Sequence, residues 1–171
     1  MSKTDKEQME KKEPTPEEQL TAQTEQTSKL IIEAAEKLAD RITHELDRYI
    51  EKIRPLIFAE QKEDFVTMAE LETIVLKIPL MLYWIGANRE KLATKEDTAR
   101  KLREIRKHFA YVNAAGSVTD KRMQAEFESD SDYMVELTYK TAHCIVNEKM
   151  AYALELLNSA KKAISRRMGT E

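Results

Sequence analysis

The sequence predicts an all-α fold, an elongated helical bundle with a long C-terminal helix that is expected to oligomerise. Three observations carry that expectation. Only three Gly and four Pro occur in 171 residues, so there are few places for tight turns. Ala, Leu, Lys and Glu, all good helix formers, are abundant. Apolar residues recur at steps of three and four, and strand-type alternation is sustained nowhere. With 42% apolar, 35% charged and only 6% aromatic residues, the composition suits amphipathic helices with charged outer faces rather than a thick enzyme-like core.

Residues 1–28 carry Pro14, Pro16 and seven acidic against four basic side chains, with no apolar residue larger than Met9 and Leu20. Such a segment buries too little surface to offset the entropy of ordering, and it is expected to be a disordered acidic tail in front of a helical domain at 29–171. From Ser28 the positions Ile31, Ala35, Leu38, Ile42, Leu46, Tyr49 and Ile53 form one helical stripe that should end before Pro55. Thr67-Met-Ala-Glu70 has the form of a capping box and opens a second helix through Ile74 and Ile78, which Pro79 kinks or restarts. The apolar run from Ile78 to Ala87 is well short of the roughly 20 residues that span a bilayer, and reads as core. Gly86 and Asn88 are stop signals, and Thr94 to Asp97 is a weaker start. Ala114-Ala115-Gly116-Ser117 then punctuates the chain. A short helix around Thr119 to Glu128 is expected before a cap at Ser129 to Asp132, and a final helix should run without a breaker to Gly169. At about 1.5 Å per residue that last helix is too long for a small domain, so it should either project or pack on another subunit.

The overall charge of −3 says little, because 28 basic and 31 acidic residues nearly cancel. Their distribution says more. Arg100, Lys101, Arg103, Arg106 and Lys107 crowd into eight positions. At 100° per residue, Leu102, Ile105, Phe109 and Val112 share one face suited to packing, while Arg100, Arg103 and Lys107 fall on the opposite side with Tyr111 adjoining. Three readings stand for this face, one of them a membrane-surface helix, which the aromatic and acidic flanks disfavour. Basic side chains one turn apart can follow a phosphate backbone while a Tyr stacks on an unpaired base. Equally, it can be a solvated face whose charges balance acidic residues elsewhere, such as Glu126, Glu128, Asp130 and Asp132. The second basic cluster, Lys161, Lys162, Arg166 and Arg167, meets the negative end of the last helix's macrodipole.

No metal, cofactor or catalytic role is expected. His44, His108 and His143 lie apart, without a His or Cys partner at ligand spacing, and adjacent His143 and Cys144 point about 100° apart on a helix. No phosphate-binding glycine loop or nucleophile elbow occurs. The lone Cys144 allows no intramolecular disulfide and no secretory pattern opens the chain, so a cytoplasmic location is expected.

The order of these features resembles a known family. MLYWIGANREKLATKEDTARKLREIRKHFAY, a small-residue turn, the acidic break FESDSDY and a long terminal helix with a central Cys, together roughly Ile74 to Gly169, are similar to phage recombination mediators of the UvsY type. The resemblance implies a single-stranded-DNA-binding protein that loads a RecA-like recombinase onto DNA coated by single-strand-binding protein, in the host cytoplasm if a phage encodes the chain. It implies DNA contacts at Arg100, Lys101, Arg103, Arg106, Lys107 and Tyr111. It also implies a homo-oligomer built through the terminal helix, with Met134, Leu137, Ile145, Tyr152 and Leu156 as apolar contacts. The chain departs from the family in its longer N-terminal extension and in Ala-Ala-Gly-Ser where a more basic turn is usual. The competing expectation is a helical structural or adaptor protein, a virion or scaffold component, whose basic face meets an acidic partner.

Overall fold

The structure is a computed structural model that describes residues 15–61 and 66–169. It is all-α: α1 (Pro16–Gln61), α2 (Met68–Asn113) and α3 (Val118–Met168), with no strand among the described residues. Helices of 46, 46 and 51 residues rise about 69, 69 and 77 Å. The chain divides into two units, Met1–Leu30 and Ile31–Glu171.

Three capping boxes open the three helices. The Thr15 N–H donates to Glu18 Oε2 at 2.8 Å and the Glu18 N–H returns to Thr15 Oγ1 at 3.3 Å, with Pro16 at the first helical position, where its missing donor costs nothing. Helix α1 thus begins twelve residues before the expected start at Ser28. Described residues 15–30 are exposed apart from half-buried Thr27, so a local cap starts this stretch where tertiary packing contributes little. The rest of the expected tail, residues 1–14, lies outside the described residues. Thr67 and Glu70 form the second box, as the sequence predicts, and Ser117 and Asp120 form the third. Between α2 and α3 the chain turns through Gly116 at φ 104°, a conformation that a side chain at this position would strain.

Every internal stop signal is overridden. Pro55 lies inside α1 and Pro79 inside α2, each removing a backbone donor at a cost of about 3 kcal/mol. Buried Ile53 and Ile57 flank the first and buried Ile78 and Ile85 the second, each worth about 2 kcal/mol of apolar burial, so packing carries the helix through. Gly86 sits in α2 between Ile85 and Leu92, both buried. The expected break at Ser129 is also absent. Ser129 is buried within α3 and its hydroxyl donates to the Glu126 carbonyl at 3.1 Å, which satisfies the side chain without stopping the helix.

Within residues 31–171 the core follows a seven-residue repeat. Leu71, Ile78, Ile85, Leu92 and Ala99 are buried on α2, and Val146, Ala153 and Ala160 on α3. Leu46, Ile50, Ile53 and Ile57 supply the α1 side at alternating steps of four and three. The expected α1 stripe is therefore present, shifted so that Ala39, Thr43 and Ile50 join it. Opposed pairs fix the directions: Arg103 meets Glu136 and Arg106 meets Asp132, so α2 and α3 are antiparallel. Lys149 reaches Asp40 at 3.0 Å, Thr43 at 3.1 Å and Asp47 at 2.7 Å, and Arg167 reaches Glu60, so α1 and α3 run parallel. Burial pulls the Lys149 pKa down, but the hydrogen bonds and charges of Asp47 and Asp40 together outweigh it, and its net shift is upward. The core cluster spans residues 35–57 of α1, 71–92 of α2 and 142–163 of α3. Beyond it α2 and α3 continue as an antiparallel hairpin to the turn at Gly116.

The caps give a direct check. Thr67→Ala and Ser117→Ala should each lower unfolding free energy by about 1 kcal/mol, measured by denaturant titration. Glu70 is held below its ordinary 4.5 by the Thr67 N–H and then the Thr67 hydroxyl; Asp120 is held below 3.8 by the Ser117 hydroxyl and then its N–H. Both boxes contribute fully above those ordinary values and are lost as pH falls through the lower folded ones. Amide signals at the starts of α2 and α3 should accordingly weaken in acid before the core does.

Candidate nucleic-acid interface

The basic segment occupies the α2 half of the hairpin, and the seven-residue repeat decides which way it faces. Steps of seven from Leu71 through Ala99 arrive at Arg106, so the inward position of α2 holds an arginine there. The facing stretch of α3 is acidic. Arg106 lies 3.1 Å from Asp132, Arg103 lies 2.9 Å from Glu136, and Lys107 pairs with Glu126. Arg103 also stacks its guanidinium 5.0 Å from the Tyr133 ring centroid. Arg100 pairs with Asp97 on its own helix. Lys101 is exposed and Tyr111 is half-buried.

This arrangement inverts the expected orientation. Leu102, Ile105, Phe109 and Val112, the face assigned to packing, are 57%, 52%, 61% and 59% exposed. Arg103, Arg106 and Lys107 pair instead with carboxylates of α3, Arg103 largely covered and Arg106 and Lys107 still open to solvent on one side. Small Ala99 and Ala110 supply the buried apolar contacts of α2 in this half, which leaves room for arginine stems beside them. The 100° rotation correctly grouped the residues into two faces; only the phase inherited from Leu71 to Leu92 determines which face meets α3.

The two inner pairs differ from the surface ones. Glu136 is only 15% exposed at its side chain and Arg103 27%. Glu136 Oε2 and Asp132 Oδ2 are fully covered, and no aligned N–H reaches either oxygen, so these contacts are ion pairs without a formed hydrogen bond. Nearby, His143 Nδ1 lies 3.4 Å from Glu96 and the Lys95 ammonium sits over Tyr139 at 5.7 Å. One cavity of about 430 Å³ opens beside Arg103, Phe127, Asp130 and Tyr133, and another of about 300 Å³ beside Ala99, Leu102, Val135 and Tyr139. Among the described residues no group of three His, Cys, Asp or Glu side chains is placed to hold a metal ion.

The expected oligomer contacts are scattered by environment. Leu156 is buried in the core of the single chain and so is not offered to a second subunit, a correction that follows from α1 and α2 covering that part of α3. Ile145 is half-buried against the same core, and Tyr152 lines a groove with Ile50 and Lys149. Met134 and Leu137 are half-buried.

Part of the run from Ile78 to Ala87, which the sequence reading placed in the core, appears instead on the outside of α2. Ile78 and Ile85 are buried, but Leu76, Leu80, Tyr83 and Trp84 are exposed, Tyr83 at 75% and Trp84 at 66%. Leu76 and Tyr83 are one heptad apart, so they share a face turned away from the buried one. The heptad phase was the signal that separates them from Ile78 and Ile85. No helix among the described residues is long and apolar enough to cross a membrane.

Arg103→Ala leaves Glu136 covered without its cation and should destabilise the protein by about 2 kcal/mol. The double change Arg103→Ala with Glu136→Ala should cost less than the sum of the two single changes. Arg100→Ala, which breaks a surface pair, should stay within about 0.5 kcal/mol. Thermal or denaturant unfolding of the four variants checks all of these.

Comparison of the chain with protein-family models, curated proteins and solved structures found no match.

Proposed function

We propose that the protein is a helical adaptor, a coiled-coil element that holds a protein partner against the outer face of α2. The observation that carries this reading is the exposed cluster of Leu76, Leu80, Tyr83 and Trp84 on the three-helix half of the structure. Interface hot spots are enriched in Tyr and Trp, and both rings here contribute wide, stiff contact area. They touch edge to face with centroids 5.8 Å apart, so the pair is preorganised by its own contact. The acidic partner expected from the basic face is supplied in large part within the chain, by Glu126, Asp132 and Glu136.

The second reading is a single-stranded-DNA-binding recombination mediator acting with a RecA-like recombinase and a single-strand-binding protein. It draws support from exposed Lys101 and from the side chains of Arg100 and Lys107, which are 48% and 43% exposed. Exposed ion pairs are worth about 0–1 kcal/mol, so phosphates can replace those carboxylates at small cost.

A salt titration of binding to a short single-stranded DNA separates the readings. For an adaptor, no saturable binding is expected near 50 mM salt. A mediator would bind and weaken steeply with salt, and Arg100→Ala with Lys101→Ala and Lys107→Ala would reduce affinity about tenfold or more while leaving helicity unchanged. In the adaptor reading, Tyr83→Ser with Trp84→Ser abolishes capture of a defined cellular partner without altering the circular dichroism spectrum.

A further inference from the structure

The exposed stripe on the hairpin continues a surface that is covered lower down. Leu102 and Phe109 stand at steps of seven from buried Ile74 and from Met81, which packs against the core. Ile105 and Val112 stand at steps of seven from Lys77, whose ammonium lies over the α1 ring of Tyr49 at 5.6 Å, and from exposed Trp84, so they flank this surface. On α3, Val135, 48% exposed, stands seven residues before buried Ala142, and Lys149, which binds α1, follows seven after that. The seam of α2 and α3 extends beyond the core cluster as an apolar groove, lined by Ala99, Leu102, Val135 and Tyr139.

We propose that this seam is the docking surface for a second copy of the chain, α2 against α2 in antiparallel orientation about a two-fold axis. The spacing supports it: Leu102, Ile105, Phe109 and Val112 follow steps of three, four and three, which read the same in both directions. An antiparallel copy thus sets Leu102 opposite Val112 and Ile105 opposite Phe109, so every apolar residue meets another, as a self-complementary two-fold contact requires. Charge does not oppose it. Arg103, Arg106 and Lys107 are paired with carboxylates of α3, so the approaching faces do not present their row of cations to each other. The area is of the right order as well. The four residues and Val135 expose on the order of 400 Å² of apolar surface, about half of the roughly 800 Å² that each partner of a stable complex buries. The first thirty residues of the chain are a poor cover by comparison, with Met1, Met9, Leu20 and Leu30 as their only large apolar side chains.

The test uses the full chain. Sedimentation equilibrium from about 1 to 100 μM should give a dimer, and Ile105→Glu with Phe109→Glu should weaken association about tenfold or more with unchanged helicity. Phe109→Cys, in a chain carrying Cys144→Ser, should be protected from thiol labelling at concentrations where the dimer forms and labelled on dilution. A dimer that persists in the double Glu variant overturns the proposal. So does a monomer throughout the range, whether Cys at 109 is protected, which assigns the seam to the chain's own first residues, or fully labelled, which leaves it for a foreign helix.

Discussion

The phase of the seven-residue repeat in α2 governs the rest of the structure. Leu71, Ile78, Ile85 and Leu92 lock that helix against α3, opposite the small residues Ala153 and Ala160 and the branched Val146. A helix of 46 residues cannot rotate locally, because each hydrogen bond ties a residue to the turn before it. Whatever stands at the later inward positions must therefore face α3, and what stands there is Ala99 and then Arg106. An arginine at an inward position requires a carboxylate across from it, and Asp132 and Glu136 meet Arg106 and Arg103.

That constraint explains why one pair of helices has two characters. Where α1 joins them, three apolar faces close on each other and the core contains isoleucine, leucine, valine and alanine. Beyond the core cluster α2 and α3 are held to each other by ion pairs, two cations on aromatic faces and a few alanines. Partly covered ion pairs add little net stability. The apolar residues of the hairpin remain on the outside, where association can use them.

The overriding of internal stop signals has the same origin. Pro55, Pro79 and Gly86 each weaken a helix by an amount set within a few residues, whereas the apolar contacts that continue it recur on both sides. Pro55 and Pro79 both lie at exposed positions, so the rings do not disturb the packed seam. At Thr15, by contrast, packing is nearly absent and the local signal alone sets the boundary.

The sequence by itself determined the helical class, the grouping of residues into faces, the Thr67 cap, the turn at Ala114 to Ser117 and the end near Gly169, because these depend on local geometry, periodicity and the scarcity of glycine and proline. It also contained the competing readings of the basic cluster, including the one in which Glu126 and Asp132 answer its charge. Tertiary structure alone decided that Arg103 and Arg106 pair with α3 while Leu102, Ile105, Phe109 and Val112 face out, and that Trp84 is exposed beside buried Ile85. Those outcomes depend on a phase accumulated over four heptads and on the partner helix found opposite, neither of which is a property of any short stretch of chain.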